Sequence, residues 1–187
     1  ASGLRASLRQ DPDRIMVGQM RDLEPAMMAV QASLTGHLVL TTLHTNDSAG
    51  AITRLIDMGV EPFRISSTLA GVLGQRLIRQ ICSNCKTAYD PSDEELSMLG
   101  LTRDDIGDHK FYYGKGCADC NGGYRGRIGI FELLRISTEI SSMINERVPT
   151  GEIRRKAVEQ GMRTMRESGV RAILDGRSTA EEVLKYT

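Results

Sequence analysis

The 187 residues balance 24 Lys plus Arg against 24 Asp plus Glu, and 40% of them are apolar. That is enough apolar material for a core in one large or two small domains, and the even charge lacks the basic excess of a dedicated nucleic-acid binder. The longest stretch free of charged side chains, 25–46, is broken by Gln31, Ser33, Thr35, Gly36 and His37 and makes a poor bilayer span. No apolar signal segment precedes the arginines and aspartates of residues 1–14, so the chain is expected to be cytoplasmic.

In chain order, 3–10 reads as a helix end, 14–18 as a buried strand, 24–34 as a helix and 37–44 as a second strand. Thr45, Asn46 and Asp47 signal the start of a helix over 48–58, which Gly59 ends. A further helix is expected over 64–79, from Ile65, Leu69, Val72, Leu73 and Leu77. Strand, helix, strand, helix is an α/β order. At Ile81 the composition changes, and 82–124 has the cysteines, clustered acids and glycines of a small loop-rich module. A strand follows over 128–134 and the remainder reads as helical, with a capping box from Thr179 to Glu182 opening the last helix. The expected segments are 1–80, 81–135 and 136–187.

All four cysteines fall in two Cys-x-x-Cys pairs, Cys82 with Cys85 and Cys117 with Cys120. Two such knuckles complete a tetrahedral four-thiolate shell with no open position, the arrangement of structural zinc. Disulfides fit a cytosolic chain poorly, and a redox pair does not explain two copies. The intervening loop exceeds the usual ribbon spacing, so 90–113 reads as an insertion with its own helix around 94–99.

Polar groups gather where the first two strands end. Val17-Gly18-Gln19-Met20-Arg21-Asp22 closes the first, and Thr35-Gly36-His37-Leu38-Val39-Leu40-Thr41-Thr42-Leu43-His44-Thr45-Asn46 contains the second. An α/β nucleotide site delivers its chemistry at strand carboxyl ends. These residues resemble the Walker B box, Val-Gly-Glu-(Ile/Met)-Arg-Asp, and the His box, Thr-Gly-His-Leu-Val-x-x-Thr-Leu-His-Thr-Asn, of the motor ATPases of type II secretion and type IV pilus assembly. The resemblance runs from Leu4 almost to Thr187.

The resemblance implies the C-terminal half of a RecA-like P-loop NTPase core over 1–80, an inserted tetracysteine zinc module over 81–135 and a C-terminal helical region over 136–187. It implies a parent that is a homo-hexameric ATPase using Mg²⁺ and ATP, peripheral to the bacterial inner membrane. Inner-membrane platform and cytoplasmic adaptor proteins would be its partners, and nucleic acid would not. Tetracysteine modules belong to the assembly branch of this family and are generally lacking in retraction motors.

Two departures bear on mechanism. Gln19 stands where the family has a glutamate, and no Gly-x-x-x-x-Gly-Lys-(Ser/Thr) phosphate loop occurs. Ala1 is therefore read as a fragment boundary, and the chain alone is expected to be inactive. Gln19 is the candidate for orienting the attacking water, although a neutral amide is no ordinary base. It is read as a natural variant of a slow motor, a deliberate carboxylate-to-amide change, or a plain polar strand end.

Seven residues separate His37 from His44, and an odd count along one strand points them to opposite faces. His44, at the carboxyl end, is the candidate γ-phosphate sensor, and His37 is structural or at a subunit boundary. Arg21, Arg54 and Arg76 are candidates for acting on phosphates across a subunit boundary, or are ordinary surface arginines. A non-enzymatic zinc-ribbon adaptor and a non-hydrolysing degenerate ATPase subunit are the alternative functions.

Overall fold

Ile15 and Val17 alternate with Arg14, Met16 and Gly18, and this period of two makes strand β1, Arg14–Gln19. In the computed structural model, which describes residues 13–45 and 47–187, β1 pairs in parallel with β2, Leu38–Thr42. Arg14 lies opposite Leu38, Met16 opposite Leu40 and Gln19 opposite Thr42, with a register irregularity between Met16 and Gln19. Parallel strands need a crossover, and helix α1, Leu23–Leu34, supplies it. The helix end expected over 3–10 lies outside the described residues.

Helix α2, Gly50–Asp57, is started by the Asp47 side chain, whose Oδ1 accepts the Gly50 N–H at 2.7 Å. Helix α3, Pro62–Thr68, opens on proline, the residue best suited to a first turn. The helix expected over 64–79 is corrected here, because α3 stops at Thr68 and Gly71–Ile81 is strand β3. Leu73 and Leu77 are exposed while Val72, Arg76 and Ile78 are less so, a strand alternation that the apolar spacing alone disguised. Gly71 and Gly74 weaken a helix, whereas β6, Tyr124–Arg135, satisfies the β3 backbone as its sheet partner. A side chain at Gly74 would crowd the Met165 methyl and Glu132 Cβ, at 3.3 and 3.6 Å.

Between these strands, β4, Lys86–Tyr89, pairs antiparallel with β5, Phe111–Gly114. The insertion holds the expected helix as α4, Asp93–Leu99, and a short α5, Arg103–Ile106. The C-terminal helices are α6, Thr138–Asn145, α7, Thr150–Glu159, α8, Met165–Leu174, and α9, Ala180–Tyr186.

The chain divides into two compact units, the described part of Ala1–Leu73 with Leu133–Met162, and Gly74–Glu132 with Arg163–Thr187. These bounds cut across the segments 1–80, 81–135 and 136–187, because β3 and β6 each run from one unit into the other and the C-terminal helices are shared out. The first unit is cored by Ile52, Leu55, Ile65, Ile140, Ile144 and Ile153, which joins α2, α3, α6 and α7. The second is cored by Ile78, Leu96, Phe111, Ile130, Ile173 and Val183. Fully burying one such side chain contributes roughly 1.5–3 kcal/mol. Among the described residues no helix is long and apolar enough to cross a membrane.

Candidate functional site

The first unit presents Gln19 at the carboxyl end of β1 and His44 just beyond that of the adjacent parallel strand β2. Gln19 faces Thr42 in the register, and His44 is exposed two residues further on. The ends are tied together, since the Met20 N–H donates to the Thr42 carbonyl and the Thr41 hydroxyl to the Gly18 carbonyl, both at 3.1 Å. The Arg21 guanidinium donates to Gln19 Oε1 at 3.0 Å. Because a guanidinium only donates, the amide oxygen must face Arg21, which leaves the Gln19 NH₂ as the group able to donate to a ligand or water.

His37 and His44 both flank β2, which is only five residues long. The strand-alternation reason for separating their roles therefore fails. What distinguishes them is local bonding. His37 Nδ1 lies 3.0 Å from both the Ala32 carbonyl and the Thr35 hydroxyl, at the end of α1. A carbonyl only accepts, so the contact with Ala32 requires the proton on Nδ1. His37 thus caps a helix end whose carbonyls favour a donor.

Arg54, exposed in the last turn of α2, belongs to the first unit, and half-buried Arg76 on β3 belongs to the second. Asp47, besides starting α2, lies 3.7 Å from Arg154 Nη1 on α7.

In the second unit Cys82 and Cys85 join β3 to β4, while Cys117 and Cys120 join β5 to β6. The two antiparallel strands bring the knuckles together, and the Asn84 amide donates to Asp119 at 3.0 Å between them. The end of β5 passes too close to the loop before β6 for side chains here, since a Cβ on Gly114 would meet the Gly123 carbonyl oxygen at 2.1 Å.

All four sulfurs lie within 4.8 Å of one another. Cys82 to Cys117 and Cys85 to Cys120 are each 3.8 Å apart, and Cys117 to Cys120 is 3.6 Å. A disulfide needs about 2.05 Å, whereas a tetrahedron with metal–sulfur bonds of about 2.3 Å has edges of about 3.8 Å. The residues fit a tetrathiolate ion.

The electrostatics point the same way. The Cys117 backbone N–H lies 3.2 Å from Cys120 Sγ and draws that thiol down to about 7. Cys117 has the Asp119 N–H to favour its thiolate, yet the Cys120 thiol, burial and the other two sulfurs push it up to about 12. Burial likewise raises Cys85. Four thiolates therefore oppose one another unless a cation sits among them.

One network escaped the sequence reading. The Glu182 carboxylate, wholly buried, accepts from the Arg79 backbone N–H at 2.9 Å and from its guanidinium at 2.5 Å. The guanidinium also lies 3.9 Å from the Tyr124 ring centroid. The expected capping box of α9 is thus half formed: Thr179 Oγ1 accepts the Glu182 N–H at 3.3 Å, while the Glu182 side chain turns to Arg79.

An α/β protein with a polar strand-end site and a four-cysteine cluster able to hold a metal ion is the class these features define. The chain belongs to the type II/IV secretion system protein family, whose family model matches residues 1–185. It is 52% identical over 188 aligned residues to the type IV pilus assembly ATPase PilB of Thermus thermophilus, covering all of this chain and 21% of that protein. It is 50% identical to type II secretion system protein E of Pseudomonas aeruginosa, again over 188 aligned residues, covering all of this chain and 37% of that protein. The chain thus spans well under half the length of these relatives. The X-ray structure of the Yersinia pseudotuberculosis ATPase DotB superposes with a TM-score of 0.67 at 18% identity, over 99% of this chain and 40% of that one. At that identity the likeness concerns the fold.

Proposed function

We propose that the chain is the C-terminal part of a hexameric motor ATPase of type II secretion or type IV pilus assembly, and that its first unit is part of a RecA-like core. The observation that carries this is the pairing of Gln19 with Thr42 at the carboxyl ends of parallel strands, in a chain half identical to a pilus assembly ATPase. In the parent, a phosphate loop from elsewhere in the protein would hold ATP and Mg²⁺. Gln19 and His44 would face the terminal phosphate, Gln19 donating through its NH₂ while Arg21 holds its oxygen. His37 would act by capping α1, and Arg54 or Arg76 would act across subunit boundaries.

The four cysteines would hold a structural zinc ion, which closes the knuckles and offers no open position for chemistry. The parent would work at the cytoplasmic face of the inner membrane with platform and adaptor proteins.

Steady-state phosphate release by the full-length parent tests the reading. Gln19→Glu should raise turnover about 10²–10⁴-fold, the usual range of general-base assistance, with ATP affinity nearly unchanged because the group acts on the transition state. His44→Ala should then lower turnover in the Gln19→Glu background. Equal turnover with Gln19 and with Glu at this position would remove the water-orienting role.

A further inference from the structure

We propose that the second unit carries a receptor for an arginine side chain, presented by a segment of a partner protein. A cavity of about 310 Å³ opens among β4, β5, the start of β6 and the start of α9, lined by Tyr89, Tyr113 and Tyr124 together with Glu95 and Glu181. Among the described residues no lysine or arginine is part of its lining. Tyr124 already carries the Arg79 guanidinium on its ring, so the open wall is Tyr89, Tyr113, Glu95 and Glu181, two rings and two carboxylates that attract positive charge through the electron-rich ring faces and through direct ion pairing.

The wall is held in place. Tyr89 meets Tyr113 edge to face with centroids 5.9 Å apart, and meets Phe111 in the same way at 6.2 Å. The Tyr89 hydroxyl donates to Glu95 Oε1 at 2.5 Å, and Tyr124 is fixed by a 2.8 Å hydrogen bond between its hydroxyl and Thr179. Burial and the Glu95 carboxylate keep the Tyr89 phenol protonated far into the alkaline range, so this bond persists at neutral pH. Preorganised rings and a fixed carboxylate lower the cost of binding.

Arginine, and not lysine, is the occupant because its planar guanidinium stacks on rings, pairs with carboxylates through a fork of N–H groups and is less strongly hydrated. The same unit already holds one guanidinium in this way: Arg79 stacks on Tyr124 while paired with buried Glu182. In the cavity Tyr89 and Tyr113 stand beside Glu95 and Glu181 in the same combination of ring and carboxylate, with no lysine or arginine in the lining among the described residues. A second cleft shares Glu95, Ala180 and Glu181 and continues over Met98 and Leu184. It gives the residue beside the arginine an apolar seat, so a segment and not a free amino acid is the fitting ligand. Lys185 borders that second cleft, one turn from Glu181, and leaves the first one uncovered.

The chain contains no tryptophan and five tyrosines, of which Tyr89, Tyr113 and Tyr124 line the cavity, so tyrosine emission responds to its occupation. The 187-residue chain is titrated with the capped peptide Gly-Arg-Leu-Gly, and with its lysine and glutamine counterparts, up to about 10 mM, the range for weak single-anchor contacts. The expected result is a saturable change with the arginine peptide, weakened at least about tenfold for the glutamine peptide and by Glu181→Gln or Tyr113→Leu. Both substitutions are at exposed positions, Tyr113 being 41% exposed, and circular dichroism checks that the variants stay folded. No saturation with the arginine peptide, equal binding of the glutamine or lysine peptide, or indifference to both substitutions would overturn the assignment. Self-association of the chain that Glu181→Gln abolishes would overturn the choice of a partner protein in favour of a second copy.

Discussion

Glu182 and Arg79 are joined twice, once through the Arg79 backbone N–H and once through its guanidinium, across 103 residues of sequence. The bond pins α9 to β3 immediately before the first cysteine knuckle. The carboxylate is wholly buried, but 45% of the Arg79 side chain is exposed and returns to water when its partner is removed. Glu182→Gln should therefore destabilise the chain by about 1–3 kcal/mol, the cost of leaving buried groups imperfectly paired, and not by the larger figure of a fully buried pair. Urea denaturation of the two proteins decides between these values.

The same pair sets an acid limit. Burial opposes ionisation of Glu182, but the hydrogen bonds from Arg79 outweigh it and hold the carboxyl below its ordinary value. A folded-state value lowered in this way adds stability above the unfolded value of about 4.3 and loses it as pH falls through the folded one. Stability should fall below about pH 4, and the fall should be shallower in Glu182→Gln. Parallel curves for the two proteins in that range would assign the acid limit to other carboxylates.

Elemental analysis should find close to one zinc per chain, bound by Cys82, Cys85, Cys117 and Cys120. Replacing any one of them by serine should lower the content and cost stability, because binding energy of a structural ion is folding energy. Gly114→Ala should do the same without touching a ligand, since its Cβ would collide with the Gly123 backbone beside the knuckles. Metal content near zero in protein purified without chelator would rule the site out.

The two histidines of the His box should separate in stability measurements on this chain. His37→Ala removes the ring that caps α1 and should cost about 0.5–1.5 kcal/mol, the net worth of a hydrogen bond. Exposed His44→Ala should stay within about 0.5 kcal/mol. Thermal unfolding of both variants is the measurement, and equal losses would contradict the capping role.

Arg147 has φ of 56°, the only positive value at a non-glycine among the described residues. It follows α6, where the Val148 N–H returns to the Met143 carbonyl at 3.0 Å and the Arg147 N–H to the Ile144 carbonyl at 3.1 Å, a helix end that usually takes glycine. Arg147→Gly should stabilise by about 0.5–1 kcal/mol, the left-handed strain relieved less the added entropy of the unfolded chain. Arg147→Val should destabilise, and a reversed order would show that the arginine side chain contributes more than its backbone costs.

Local pattern made much of this protein legible. The apolar alternation at Ile15 and Val17, the helix between the two strands, and the α4 helix inside the insertion depend on neighbours in sequence. So do the paired cysteines, because two residues of spacing already fit a single turn around an ion. Where contacts are distant, pattern misled. Ile65, Leu69, Val72 and Leu73 suit a helix face, yet the backbone from Gly71 finds its hydrogen bonds on β6, more than fifty residues later. Spacing puts His37 and His44 on one strand, but that strand begins after His37 and ends before His44.

From its own residues the chain specifies which short segments are helix or strand, that four thiols come in two turns, and that polar groups close the first two strands. Those features follow from spacing, and spacing is a local property. Which strand β3 joins, how the C-terminal helices divide between the units, and why Glu182 abandons its capping role for Arg79 depend on groups brought together from across the chain. A buried carboxylate goes to the partner that best offsets its lost hydration, and only the folded chain supplies Arg79 at that place.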